Sequence, residues 1–217
     1  MNNDFEVFTL VLGPAATNTY FFYNKTKVGE DQKHHGILID PAADGAEIVK
    51  ACEERNLVTD GILLTHAHFD HIDGVEDVRR LTSCKVYCGA AEQDLCENPE
   101  LNVSLDFGKS LTVKPDLYLN DGDLIEIAGI YGKVIFTPGH TKGSVSYYFG
   151  EAGVLFSGDT LFAGSIGRSD LPTGSAATLI RSIREKLLVL PDQTDVFPGH
   201  MSPTTIGTEK HYNQFLL

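Results

Sequence analysis

Four side chains able to ligate a metal fall within six positions of this chain. They are His66, His68, Asp70 and His71, in Thr65-His66-Ala67-His68-Phe69-Asp70-His71-Ile72-Asp73-Gly74. The apolar run Gly61-Ile62-Leu63-Leu64 just before them reads as a buried strand. Three imidazoles and a carboxylate crowded at a strand end would desolvate one another at high cost unless a cation sat among them. A mixed nitrogen and oxygen set of this kind suits zinc, iron, manganese or cobalt rather than calcium.

Three further groups repeat the placement. His140 follows Ile135-Phe136-Thr137-Pro138-Gly139, His200 follows Val196-Phe197-Pro198-Gly199, and Asp159 ends Val154-Leu155-Phe156-Ser157-Gly158. Each lies just past a predicted strand, where loops gather into a site on a rigid scaffold. Seven ligands exceed the need of one tetrahedral ion. They suit two metals that share a bridging carboxylate. His34, His35 and His211 match no such pattern and are expected to be structural.

The series His-x-His-x-Asp-His, then His140, Asp159 and His200, resembles the metallo-β-lactamase superfamily over nearly the whole chain. Within it, Gly158-Asp159-Thr160-Leu161-Phe162, Gly164-Ser165-Ile166-Gly167-Arg168-Ser169-Asp170-Leu171-Pro172 and the tail Thr204–Lys210 resemble the glyoxalase II-like hydrolases, in particular their short single-domain bacterial members. The resemblance implies one metal on His66, His68 and His140, a second on Asp70, His71 and His200, and Asp159 bridging. The metals implied are two divalent ions, zinc first, with iron or manganese as alternatives. It also implies a metal-bridging hydroxide that attacks a thioester, with a hydroxyacylglutathione as the family's substrate and Asp70 as both ligand and proton handler. Larger glyoxalase II relatives place a substrate-binding lysine where Arg168 stands, so Arg168 is expected to bind an anionic part of the substrate. Those relatives also carry a further helical domain that contacts glutathione. Only Met201–Leu217 follow His200 here, so such contacts are expected to be missing or rebuilt.

Aspartate rather than cysteine at position 159 separates the chain from the cysteine-liganded β-lactamases. His68 rather than glutamate separates it from the flavodiiron oxidoreductases. Two alternatives stay open: a persulfide dioxygenase-like enzyme holding one iron through His66, His140 and Asp159, or a hydrolase of lactones or other esters. A non-catalytic metal-binding protein would be expected to have lost a ligand, and all seven are present.

Composition bounds the rest. The 217 residues suit a single domain spanning 1–217, with no linker to divide them. A chain of this length buries about 70% of its unfolded surface, enough for a core without staples. The net charge of −13 repels polyanions and weighs against a nucleic-acid substrate. Small molecules are the expected partners. Cys84 and Cys88 bracket one predicted strand and lie ~13 Å apart in that geometry, too far for a disulfide. Free buried thiols, an N-terminus without a basic or long apolar segment, and no membrane-length apolar run point to the cytoplasm.

These ligands need a scaffold. Strands are expected at Glu6–Leu12, Thr19–Tyr23, Gly36–Pro41, Lys85–Cys88, Leu124–Ile127, Lys133–Phe136, Val145–Phe149 and Val154–Phe156, the last two as a hairpin around Gly150–Gly153. Asp44-x-x-Glu47 has the form of a capping box opening a helix towards Asn56. Val75, Val78 and Leu81 give a short amphipathic helix, and another runs from about Ala90 to Glu97. Ser175 is placed to cap a helix whose stripe is Leu179, Ile180, Ile183, Leu187 and Leu188, ended by Pro191. Asn98–Lys114 lacks periodicity and is expected to be a long loop bordering the site. Asp40, at a strand exit, either supports the site from behind or starts a turn. Strands followed by helix recur in both halves. With the resemblance, this gives an αββα sandwich of two mostly antiparallel sheets with helices on the outer faces.

Overall fold

Apolar residues on both faces of the central strands require cover on both sides, and the chain supplies it in four layers. The computed structural model describes residues 1–217. The first sheet holds β1 (Phe5–Leu12), β2 (Thr17–Asn24), β3 (His34–Ile39), β4 (Leu57–Leu64), β5 (Lys85–Gly89) and β6 (Leu117–Leu119), neighbours in that order. The second holds β7 (Leu124–Ile127), β8 (Ile130–Phe136), β9 (Val145–Phe149), β10 (Val154–Gly158), β13 (Asp195–Pro198) and β14 (Thr204–Thr205), also in sequence order. A short hairpin, β11 (Leu161–Phe162) and β12 (Ser165–Ile166), stands apart from both.

Period-two alternation sorts side chains between layers. On β3, Ile37 and Ile39 point between the sheets, while Leu38 points outward. Between the sheets Phe22, Leu63, Val134, Tyr147, Phe149 and Phe156 form one cluster. Outside the first sheet, Phe21, Ile62 and Leu64 pack against α1 (Gly45–Glu53) and α3 (Val75–Thr82) through Ile48, Val75 and Val78. Outside the second sheet, Leu155 and Val196 meet Leu179, Ile183 and Leu187 of α5 (Ala176–Ser182) and its continuation, with Ile206 of α6 (Ile206–Tyr212). Full burial of such a side chain is worth about 1.5–3 kcal/mol, so the clusters fix the layering more firmly than strand propensity does.

The sandwich is present, with one difference in pairing. The second sheet is mainly antiparallel, with only β10 and β13 parallel. The first is mixed: β1, β2 and β3 pair antiparallel, whereas β3, β4, β5 and β6 run parallel. Helical crossovers dictate this, because α1 returns β3 to β4 and α3 returns β4 to β5.

Local expectations fared unevenly. Ser175 caps α5 by accepting from the Thr178 amide. Asp44 does not form the capping box. It sits in the left-handed region (φ 48°), its side chain caps nothing, and its carbonyl accepts from the amides of Glu47 and Ile48. That turn brings Gly45 against α3, where an added Cβ would stand 2.4 Å from the Gly74 carbonyl oxygen. Leu81 is exposed rather than part of the α3 stripe. All four cysteines are free and buried, and Cys88 and Cys96 bring their sulfurs to 3.8 Å. No helix is long and apolar enough to cross a membrane.

Candidate metal centre

Every expected ligand lies on a loop leaving one edge of the sandwich. The turn after β4 carries His66 and His68, and the one-turn helix α2 (Phe69–Ile72) carries Asp70 and His71. The turns after β8, β10 and β13 carry His140, Asp159 and His200. The structure brings all seven together. Their ligand atoms form the overlapping groups His66–His68–His140, His66–His71–Asp159 and Asp70–His71–His200, each within 4.8 Å.

Three imidazole nitrogens face one another. His68 Nδ1 lies 2.9 Å from His140 Nε2, which lies 3.2 Å from His66 Nε2. The outer nitrogens of His140 and His66 are occupied. His140 Nδ1 donates to the Arg168 carbonyl at 2.7 Å. Thr65 Oγ1 donates to Asp40 Oδ2 at 2.6 Å, so its lone pair receives His66 Nδ1–H at 3.1 Å. His140 Nε2 and His66 Nε2 therefore present lone pairs inward. Burial, reinforced by the neighbouring imidazoles, keeps all three rings neutral; His66 sits well below its ordinary value, His140 below it and His68 at about 3.

The second group is ionic. His200 Nε2 stands 3.3 Å from both Asp70 Oδ2 and Asp159 Oδ2, and His71 Nε2 stands 3.4 Å from Asp159 Oδ1. Burial pulls His71 down, but Asp70, Asp159 and Asp40 outweigh it and raise the ring well above its ordinary value. Burial likewise lowers His200, and its hydrogen bonds to Asp159 and Asp70 raise it to about 9. Burial pushes Asp70 up, yet the charge on His71 and the bonds from His200 and Thr17 hold it at about 2. Asp159 behaves alike and stays well below the carboxylate range.

Two observations test whether the residues suit metal. His71 Nε2 and Asp159 Oδ1 are buried without a hydrogen-bond partner, as is His68 Nε2. Buried polar atoms seldom stay unpaired. The donor set, five imidazoles and two carboxylates, fits divalent transition metals. Asp159 faces both groups, its Oδ2 lying 3.6 Å from His140 Nε2.

Supporting residues complete the site. Asp40 accepts from the Thr65 amide at 2.8 Å, from the Thr65 hydroxyl and from His71 Nδ1 at 2.9 Å, so it supports the site rather than merely starting a turn. It does so from the left-handed region (φ 47°). Thr17 Oγ1 donates to Asp70 Oδ2 at 2.7 Å, a contact no sequence signal marks. Gly199 precedes His200 for a steric reason: a Cβ there would come within 2.2 Å of Asp159 Oδ1 and 2.7 Å of His71 Cε1. His34, His35 and His211 lie elsewhere; His34 bonds the Lys27 carbonyl and His35 bonds Asp60.

The cleft above the cluster holds about 210 Å³. Ala15, Phe69, Val103, Phe107 and Leu171 give it an apolar wall, and Arg168 is its one polar lining residue outside the cluster. Phe107 stacks on Phe69 with centroids 4.1 Å apart, so the long loop after α4 (Gln93–Glu97) does border the site. Arg168 is more exposed. Its Nε and Nη2 each donate to Asp170 at 2.8 Å. The loop that carries it is fastened by buried Glu209, which accepts from the Gly164 amide, Thr204 Oγ1 and Asn213 Nδ2.

Known proteins are similar in sequence and fold. The family model of the metallo-β-lactamase superfamily matches residues 12–200. A probable metallo-hydrolase of Bacillus subtilis, YqgX, is 41% identical, covering 94% of each chain. The hydroxyacylglutathione hydrolase GloC of Haemophilus influenzae is 36% identical, covering 91% of this chain and 94% of that protein. The crystal structure of BLEG-1, a B3 metallo-β-lactamase, superposes with a TM-score of 0.90 at 41% identity, covering 97% of this chain and 99% of that one. TTHA1623, solved in a di-iron-bound form, gives 0.82 at 34% identity, covering 97% and 100%. With the fold, the clustered histidines and aspartates and these likenesses in agreement, the chain belongs to the metallo-β-lactamase superfamily and is a metallo-hydrolase of that group.

Proposed function

We propose that the protein hydrolyses thioesters with two divalent metals, and that its substrate carries an anionic group, as a hydroxyacylglutathione does. His66, His68 and His140 would hold one ion, Asp70, His71 and His200 the other, with Asp159 between them. The observation that carries this reading is the convergence of seven metal-ligating side chains, three of which (His68, His71 and Asp159) keep a buried polar atom with no hydrogen-bond partner. Metals bound in such a pair lower the pKa of their water from 15.7 to about 7 and polarise an acyl oxygen.

The chain's own residues do the rest. Asp70, held by Thr17, remains a carboxylate through the working range and is placed to take a proton and return it to the departing thiol. The wall of Phe69, Val103, Phe107 and Leu171 shields the carbonyl from bulk water and receives the apolar part of the substrate. Asp40 and the Arg168 carbonyl keep His71 and His140 in the tautomers that ligation needs. GloC supports the choice of substrate by its own activity, and the Gly-rich stretch ending in Arg168 supports an anionic substrate end.

Arg168 supplies the anchor through Nη1, the guanidinium nitrogen that Asp170 leaves free. An exposed charge contact is worth at most about 1 kcal/mol, so Arg168→Ala should raise KM about fivefold for an anionic glutathione thioester. A neutral thioester of the same acyl group should be spared. Equal losses on both, or a lower Tm with unchanged KM, would mark the arginine as a brace for its own loop. The wider test is a panel of thioesters, lactones and β-lactams, with oxygen uptake on a glutathione persulfide, run on one metal-analysed sample. Thioester turnover above all others supports the proposal. One iron per chain with oxygen uptake overturns it.

A further inference from the structure

Glu92 is fully buried, yet it is neither near the solvent nor among the seven clustered side chains. It stands in the single 3₁₀ turn (Ala90–Glu92) between β5 and α4. Its carboxylate reaches two loops that are far apart in sequence. Oε1 accepts from the amide of Ala67, the residue between His66 and His68, at 3.0 Å. Oε2 accepts from Thr141 Oγ1, next to His140, at 2.9 Å, and the Gly143 amide donates to the carboxylate as well. Gly143 permits this approach, since a Cβ there would fall 2.3 Å from both Oε2 and the Glu92 amide nitrogen. Thr141 is itself held by Ser144, whose hydroxyl is 2.6 Å away.

Burial pushes the Glu92 carboxyl up to about 7, and these donors offset part of that cost. Every one of them belongs to the loops of His66, His68 and His140. None belongs to the loop of His200 or to the α2 turn itself. Asp40, by contrast, holds His71 directly and His66 through Thr65. We infer that Glu92 is the positioning residue of the three-histidine site, a clamp that holds the His66–His68 turn at the distance from His140 at which three imidazole nitrogens meet one ion. It touches neither substrate nor metal and acts through the backbone of Ala67 and the hydroxyl of Thr141.

This inference rests on the metal assignment proposed above and not on the identity of the substrate. The test is therefore metal binding. Zinc affinity is measured by chelator competition in two backgrounds, His200→Ala, which leaves the three-histidine site, and His140→Ala, which leaves the other. Glu92→Gln keeps the shape but turns an amide N–H towards donors. It should weaken zinc about tenfold in the first background, and Glu92→Ala about a hundredfold, the range seen when groups behind a ligand are removed. In the second background affinity should change by less than about twofold. Thr141→Val, which removes one leg of the clamp, should weaken the first background several-fold and serves if the Glu92 variants fold poorly. Cobalt spectra should show the same selectivity as altered ligand geometry at the three-histidine site. Equal weakening in both backgrounds, or a fall in Tm with unchanged affinity, reduces Glu92 to a general structural acid and overturns the inference. Failure of the His200→Ala protein to bind zinc at all overturns the metal assignment together with it.

Discussion

Removing metal from the protein by chelation should lower thioester hydrolysis at least a thousandfold. Adding back two equivalents per chain should restore it. The expected size follows from the chemistry that metals bring: a water whose pKa falls from 15.7 to about 7 is a nucleophile at neutral pH, and no side chain in the cleft replaces it. The expected stoichiometry follows from geometry. Three neutral imidazoles make one pocket, and two carboxylates with two imidazoles make another beside it. His140→Ala should lose most of the first site and His200→Ala should reduce occupancy of the second, each variant binding close to one ion. A wild-type protein saturated with zinc, iron or manganese that never exceeds one ion per chain would refute the two-metal reading. A plateau at two ions with no hydrolysis would keep the site and remove the reaction.

How much of this was legible in the sequence depended on what kind of constraint each residue answers. The clustered histidines and aspartates declared themselves because several scarce residue types crowded into short spans at strand ends, and tertiary structure had only to bring those ends together. The central strands were equally clear, since buried apolar runs have few alternatives. The parallel half of the first sheet was not, because strand direction is set by what the intervening helices cover rather than by the strand's own residues. Asp44 misled for a related reason: its spacing to Glu47 is that of a capping box, but the contact between Gly45 and Gly74 decides its backbone. Thr17 and Glu92 were invisible. Each is one common polar residue whose partners are remote in sequence, 53 residues away for Thr17 and 25 and 49 residues away for Glu92. Arg168 was visible as a cation in a Gly-rich stretch, while its pairing with Asp170 emerged only from side-chain geometry.

Asp70→Asn should lower kcat by about a hundredfold or more while KM changes little. The substitution is isosteric, so Thr17 can still donate to the remaining carbonyl oxygen and the turn of α2 keeps its place. What disappears is the negative charge and the capacity to accept a proton. A group that moves a proton in the transition state contributes about 10²–10⁴-fold, and its loss shows in kcat because substrate binding does not draw on it. Asp70 is also a member of the second ligand group, so weaker metal binding would imitate the effect. Assays at saturating metal, with both ions counted in the same sample, separate the two causes. Thr17→Val offers an independent approach: it leaves the carboxylate in place, removes the 2.7 Å bond that aims it, and should reduce kcat by roughly tenfold. If fully loaded Asp70→Asn turns over at near wild-type rate, Asp70 is a ligand alone, and the proton must reach the departing thiol by another route.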